Sequence, residues 1–418
     1  MVNPRLLAAG IALALLAPDP ALAKDEAARV ARILKATPLI DGHNDWAEAL
    51  REEAGEKRWT MSLDQLPAPF NTDIAKLRAG MMGGQFWSVW VDSGKTGTQQ
   101  IMETLQQIDL IKTIVGRYPG TFEMARTAAD VRRIHAAGRI ASMLGAEGGG
   151  QFGGDLSVLR AFRDLGVGYL TLTHSRTIAW ADSATDDPKH DGLTVFGEQV
   201  VHELNRIGML VDLSHVSEAT MRDALAVTRA PVIFSHSSAR AVCDHPRNVS
   251  DDVLRLVAAN GGIVMVNFAT PYISNAYRLW SIEAGAEKAR LNAPPFGGLY
   301  IGQPDKAAAA YAEWLKAHPA PRVTLGEVAD HIDHIAKVAG VNHVGLGGDF
   351  DGVNGMLPEG LGDVSTYPAL FIELMRRGWS DADIAKLAGG NMLRVMAQAE
   401  AVARSMAVEP AFTPAPLG

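Results

Sequence analysis

Eight short apolar runs, set between longer stretches of helical period, constrain this chain more than any other feature of its sequence. They are TPLIDGHND (37–45), GGQFWSVWVD (83–92), RIASMLGAEG (139–148), VGYLTLTH (167–174), GMLVDLSH (208–215), APVIFSHS (230–237), GGIVMVNF (261–268) and HVGLGGDFDG (343–352). Near-continuous apolar character suits strands buried on both faces. The stretches between them, such as 98–118, 155–166 and 194–208, are amphipathic, and Gly166, Gly208 and Gly262 stand where a helix should stop and a strand begin. Strand–helix alternation predicts parallel strands with right-handed crossovers. Eight such units predict a (β/α)₈ TIM-type barrel. A doubly wound open sheet is the alternative, but no GxGxxG follows the first run to favour a dinucleotide fold.

The connection after the seventh run is long. Residues 270–325 include Pro294-Pro295, Gly297-Gly298 and the helical AAAAYAEWLKAH (307–318). This segment is expected to be an insertion over the barrel mouth within one catalytic domain, residues 24–405, followed by a Pro-rich tail, 406–418. At the other end Arg5, the apolar Leu6–Leu16 and Ala21-Leu22-Ala23 read as a signal peptide (1–23) cleaved near Ala23, with an uncleaved anchor as the alternative. The expectation is an exported chain, periplasmic or secreted, without a stable membrane anchor. The single cysteine, Cys243, allows no intrachain disulfide. A net charge of −8 without a polybasic run speaks against a nucleic-acid partner.

The chemistry lies in how the runs end. The first ends His43-x-Asp45, the third in Glu147, the fourth in His174, the fifth in His215, the sixth in His236 and the eighth in Asp349-x-Asp351. In a parallel barrel these ends surround one mouth. A lone strand-end histidine is usually just a satisfied polar residue, and Ser217 is a plausible cap for the helix after His215. Together, imidazoles and carboxylates crowded at one mouth call for a compensating cation. With no thiolate present, zinc suits the set, and manganese, cobalt or iron also fit. So many ligands exceed the need of one catalytic zinc, so two ions ~3.5–4 Å apart are expected. Glu147 would bridge them, with His43 and Asp45 on one and His215 and His236 on the other. A water between the ions would lose a proton near neutral pH and act as nucleophile. The remaining histidines, such as His135, His202, His318, His331 and His334, fall in helical or loop segments and are expected at the surface.

DGHNDW, the Glu147-Gly-Gly stretch, LTLTHS, DLSHVS, FSHSSARAVCDHPRNVSDD and VGLGGDFDGV together resemble the membrane dipeptidase (renal dipeptidase) family of metallopeptidases, collinearly from about residue 37 to 397. The resemblance implies an amidohydrolase-like binuclear-zinc barrel that cleaves dipeptides and tolerates a D-residue at the C-terminal side. By motif, His43, Asp45, Glu147, His215 and His236 are then the ligands of two zinc ions bridged by Glu147 and a hydroxide. His174 contacts substrate and its oxyanion. Arg247 pairs with a substrate carboxylate. The acid of GGDFDG shuttles the proton. Asp349 is favoured for that role because it ends the apolar run, with Asp351 as the alternative. Arg176 and Arg240 are further cations that could share carboxylate binding. Mammalian members carry a lipid anchor and an intermolecular disulfide, neither of which this chain signals; a homodimer stays open. A binuclear hydrolase of another acyl substrate, an N-acyl-amino acid, β-lactam or lactone, is the competing activity.

Overall fold

The computed structural model describes residues 20–292 and 298–411. Its strands are β1 (Leu39–Asn44), β2 (Met82–Trp90), β3 (Phe122–Met124), β4 (Ile140–Glu147), β5 (Val167–Thr171), β6 (Leu210–Asp212), β7 (Ile233–Phe234), β8 (Ile263–Val266) and β9 (Val344–Leu346). All pairings among them are parallel. The ring runs β2-β1-β9-β8-β7-β6-β5-β4, and β4 pairs back to β2 to close it. Closure gives the expected (β/α)₈ barrel and rules out the open doubly wound sheet. Each of the eight apolar runs supplies one ring strand. β3 is an addition the sequence did not announce. It pairs Phe122 with Ile140 and Met124 with Ser142, along the edge of β4 that β5 takes over from Leu144 onward.

Strand periodicity decides what faces the barrel axis. Ala141 and Met143 of β4 join an interior apolar group with Ile40, Phe86, Tyr169, Leu210, Ile233, Ile263 and Met265. Leu144 and Ala146 pack instead into the layer between strands and helices. Side chains alternate along a strand, so Gly145 and Glu147 also point inward, Glu147 at the mouth.

Local signals end the helices as expected, with one shift. Thr194 caps the helix Val195–Ile207 through Gly197 N–H, and Gly208 closes it in the left-handed region (φ 72°). Asp155 and Gly166 (φ 109°) bracket Leu156–Leu165 in the same way. Gly262, however, is not a cap. Gly261 takes that position (φ 82°) after the helix Asp251–Asn260. Gly262 is glycine for another reason, since a Cβ there would lie 2.6 Å from the carbonyl oxygen of Val232.

The 270–325 segment forms helices Thr270–Ile273, Asn275–Asn292 and Pro304–Ala317, while residues 293–297, which include Pro294-Pro295 and Gly297, lie outside the described residues. The two long helices pack on each other, and Trp280 Nε1 donates to the His318 carbonyl (2.8 Å). Pro304 at the first helical position suits its fixed φ. The signal-peptide reading falls mainly on residues 1–19, which lie outside the described residues, as do 412–418 of the Pro-rich tail. The last helix runs to Met406, and Glu409 beyond it pairs with Arg229 (2.6 Å) and His202 (3.1 Å), so the start of the expected tail is docked. No helix among the described residues is long and apolar enough to cross a membrane.

Candidate active site

The strands end earlier than their apolar runs, and the mouth is built largely by the turns that follow. His43 lies within β1 and Glu147 is the last residue of β4. His174, His215, His236 and Asp349 stand two or three residues past β5, β6, β7 and β9. His215 (φ 69°), Asp349 (φ 61°) and Asp351 (φ 67°) hold left-handed backbone. That conformation costs a non-glycine residue roughly 1–2 kcal/mol and collects at functional sites. Backbone bonds from Asp349 N to His43 O (3.2 Å) and Asp45 N to Phe350 O (3.0 Å) tie the β9 turn to the end of β1. Asp45 occupies the N-cap of the helix Trp46–Ala54 but makes no capping bond, leaving its carboxylate for the mouth. Ser217 does cap the helix after His215, accepting from Thr220 N–H.

Glu147 is the centre. Its Oε2 lies 3.3 Å from His43 Nε2, which is itself 3.4 Å from Asp45 Oδ2. Its Oε1 lies 3.0 Å from His215 Nε2, 3.3 Å from His236 Nε2 and 3.8 Å from His174 Nε2. Asp349 joins the His43–Asp45 side, one ligand atom of each lying within 4.8 Å of the others. Burial alone would raise the Glu147 carboxyl, but the imidazoles around it outweigh burial and hold it well below its usual range. Burial would likewise lower His43, yet Tyr169, Glu147 and Asp45 lift it well above the ordinary imidazole value, so this position favours positive charge. Burial, then the Arg247 and His174 charges, push His215 well below it. Burial, with help from Asp45 and Glu147, pushes Asp349 well above the usual carboxylate range.

A second layer orients these groups. Ser235 Oγ donates to Asp212 Oδ2 (2.7 Å) and so accepts from His236 Nδ1 (2.8 Å). The Tyr169 hydroxyl donates to the Gly42 carbonyl (3.3 Å) and accepts from His43 Nδ1 (2.8 Å). In their neutral forms both histidines would therefore aim an Nε2 lone pair into the mouth. His43 Nε2 is buried without a hydrogen-bond partner among the described residues, and the Nε2 atoms of His215 and His236 face each other at 2.9 Å. Lone pairs so placed beside two carboxylates fit divalent cations. Asp41 holds the frame by accepting from His43 N–H (3.0 Å), Gly348 N–H (3.1 Å) and the Tyr367 hydroxyl (2.7 Å). Tyr169 is placed by Gly145, where a Cβ would fall 1.9 Å from the phenol ring. Gly145→Ala is expected to displace Tyr169, cost about 1–3 kcal/mol of stability by overpacking, and weaken metal retention. Thermal melts of metal-free protein, alongside metal titrations, would measure both losses.

Beside the cluster opens a cleft of about 370 Å³, within the size of small-molecule sites. Asp45, Glu48, Trp90, His174, Tyr272 and Asp349 are among its lining residues. Burial pushes the Glu48 carboxyl up to about 7. Arg247 lies behind Tyr272, its guanidinium carbon 5.4 Å from the phenol centroid. It is 2% exposed, donates to Ser237 Oγ and the His236 carbonyl (3.2 Å each), and has no carboxylate partner among the described residues. The other cations are elsewhere. Arg240 is engaged by Glu218 (2.8 Å) and Arg176 is exposed; none of the three arginines lines the cleft, and Arg247 alone stacks on a residue that does, Tyr272. Asp351 lines the cleft as well. Strand β9 ends at Leu346, and Asp351 Oδ1 accepts from Asn71 N–H (2.7 Å).

This geometry can be set beside known proteins. The family described as membrane dipeptidase (peptidase family M19) matches residues 27–410. The chain belongs to that family. It is a metallo-dipeptidase, and small dipeptides are its substrate class. It is 40% identical over 388 residues to the dipeptidase aclJ of Aspergillus oryzae, covering 90% of this chain and 81% of that one. It is 41% identical to the uncharacterized dipeptidase C3A11.10c of Schizosaccharomyces pombe, covering 90% and 84%. Among solved structures, the probable dipeptidase PvdM of Pseudomonas aeruginosa is similar with a TM-score of 0.77 at 26% identity, covering 91% of this chain and 99% of that one. A metallo peptidase of Rhodobacter sphaeroides, liganded with a phosphinate mimic of the dipeptide L-Ala-D-Ala, is similar with a TM-score of 0.69 at 25% identity, covering 87% and 99%.

Several groups at the dipeptidase cleft escaped the sequence reading. Trp90 had a signal, since it ends β2 opposite Glu147. Asp41 and Asp212 had one too, each standing two or three residues before a histidine of the cluster. Tyr169 and Tyr272 had none, because their partners are distant in sequence. His331, expected at the surface, is fully buried. Its signal is the helical period that places 328, 331, 332 and 335 on one face.

Proposed function

We propose that this metallo-dipeptidase binds two zinc ions and hydrolyses free dipeptides, accepting a D-residue at the C-terminal side. The observation that carries the reading is the split environment of Glu147, with one oxygen toward His43 and Asp45 and the other toward His215 and His236. His43, Asp45, Glu147, His215 and His236 would hold the metals. When bound, the ions supply Lewis-acid polarisation of the scissile carbonyl and a water ionised near neutral pH.

The chain's own side chains do the rest. Asp349, kept basic by burial and held at Oδ2 by Asn267 Nδ2 (2.8 Å), takes the proton of the attacking water and returns it to the leaving nitrogen. His174 offers a ring N–H to the developing oxyanion; burial holds its pKa below the ordinary imidazole value. Arg247 binds the substrate's free carboxylate, which restricts the enzyme to short substrates. The phosphinate-liganded relative supports the D-residue, since its ligand mimics L-Ala-D-Ala. Residues 24–405 form the catalytic unit, and the signal-peptide features of 1–23 support export to the periplasm or medium.

The deciding experiment measures bound zinc and initial rates of mature protein on L-Ala-D-Ala, L-Ala-L-Ala and N-acetyl-L-Ala-D-Ala. Two zinc ions with fast cleavage of both free dipeptides and refusal of the acetylated one are expected. Preference for the acetylated compound would move the activity to N-acyl-amino acids. Arg247→Lys keeps the charge but loses the planar fork, and should raise KM for free dipeptides about tenfold or more. An unchanged KM would remove Arg247 from substrate binding.

A further inference from the structure

We propose that His331, which lies outside the cleft, is a positioning residue for the substrate's carboxylate, bracing the two segments that present Arg247 and Tyr272. The inference rests on the reading of Arg247 as the carboxylate's partner and adds a residue on an outer helix, Leu325–Val338.

The imidazole is a two-ended clip. Its Nδ1 accepts from Ala239 N–H (3.0 Å), and its Nε2–H donates to the Ile273 carbonyl (2.9 Å). These bonds define one neutral tautomer. Burial keeps the ring in it, pushing the pKa down to about 4.

Each end of the clip holds one of the two segments that carry Arg247 and Tyr272. Ala239 belongs to the turn after β7 and forms a parallel bridge with Val249. Val249 N–H donates to Ser238 O (2.8 Å) and Arg240 N–H to Val249 O (2.9 Å), so the strip carrying Arg247 is laid against the residues His331 grips. Ile273 ends the helix Thr270–Ile273 and follows Tyr272 directly. Asn248 adds a parallel tie, donating through Nδ2 to the carbonyls of Tyr272 and Cys243 (2.8 Å each). The stacking of Arg247 on Tyr272 thus depends on two segments held in register by the buried His331 imidazole together with Asn248. Neither His331 nor its helix lines the cleft, so the residue acts only through those it positions.

A buried histidine with two backbone bonds could serve folding alone, and the test separates the roles by substrate. His331→Phe keeps a ring of similar size and deletes both bonds. His331→Gln keeps one donor. Steady-state kinetics would be taken on zinc-loaded enzyme with L-Ala-L-Ala and its C-terminal amide, together with zinc content and melting temperature. The expected result for His331→Phe is a rise in KM for the free dipeptide of about tenfold, the scale of a lost positioning contact. Its kcat stays within about twofold, zinc content is unchanged, and kcat/KM for the amide is unaltered. The glutamine variant should fall between the two, and it carries the test alone if the phenylalanine variant does not fold. An equal loss on both substrates, or no loss on either, overturns the proposal. A wild-type enzyme that handles dipeptide and amide alike removes the carboxylate reading of Arg247, and this inference with it. Discrimination preserved by wild type and both variants removes this inference only.

Discussion

Glu147→Gln is expected to lower kcat/KM for dipeptides by about 10⁴-fold or more, which corresponds to about 5.5 kcal/mol of transition-state stabilisation. Glutamine matches the volume and reach of glutamate, so the packing at the end of β4 should survive. The charge does not. The carboxylate lies between His43 on one side and His215, His236 and His174 on the other, and all four imidazoles hold it ionised against the cost of burial. An amide offers one oxygen and two N–H donors, and cannot serve cations on both sides. Zinc content, read by elemental analysis after dialysis, should therefore fall together with activity. The melting temperature of the metal-free variant should move by less than about 4 °C, the shift that roughly 1 kcal/mol makes in a large domain. A variant that keeps both full zinc content and wild-type turnover would show that Glu147 does not join two metal sites.

Asp349→Asn is expected to separate chemistry from metal binding. Its kcat should drop about 10²–10⁴-fold, the range for a lost general acid–base, while zinc content and KM stay close to wild type. Asp349 is buried, faces Asp45 and Glu147, and is held by Asn267, which together favour a carboxyl that takes up a proton readily. Asparagine preserves the bond to Asn267 and removes the exchangeable proton. Asp351→Asn is the matched control. Burial also raises Asp351, to about 7, and it lines the same cleft, but its Oδ1 is committed to Asn71 N–H. Its kcat should fall by less than about tenfold. If the Asp351 variant suffers the larger loss in kcat, the two assignments exchange.

The parts of this enzyme that could be read before any coordinates share one property: they are local. A strand buried on both faces must be apolar throughout, so the ring strands appeared as continuous runs. A polar residue placed directly after such a run has one mouth to face, so His43, Asp45, Glu147, His174, His215, His236 and Asp349 could be gathered without a structure. Where the reading slipped, local information ran out. FEM at 122–124 is too short to show a period, so β3 went unseen. Gly261-Gly262 offers two equivalent residues for one cap, and only backbone φ separates them. His331 was taken for a surface residue because neither of its partners, Ala239 and Ile273, is near it in the chain.

Sequence alone thus determined the alternation of strand and helix, the barrel it closes into, and the set of imidazoles and carboxylates around its mouth. Tertiary structure decided how those groups are used. It turned one oxygen of Glu147 toward His43 and the other toward His215 and His236. It set Asp349 beside His43 and Asp45 and tied Asp351 Oδ1 to Asn71 N–H, in a left-handed turn after a strand that stops at Leu346. It also placed a lone buried arginine behind Tyr272 and a histidine from the outer helices beneath both. The physical reason is range. Burial and periodicity act between neighbours in the chain and leave their mark in composition. Hydrogen bonds and charge pairs between distant segments depend on distances that only the closed barrel sets.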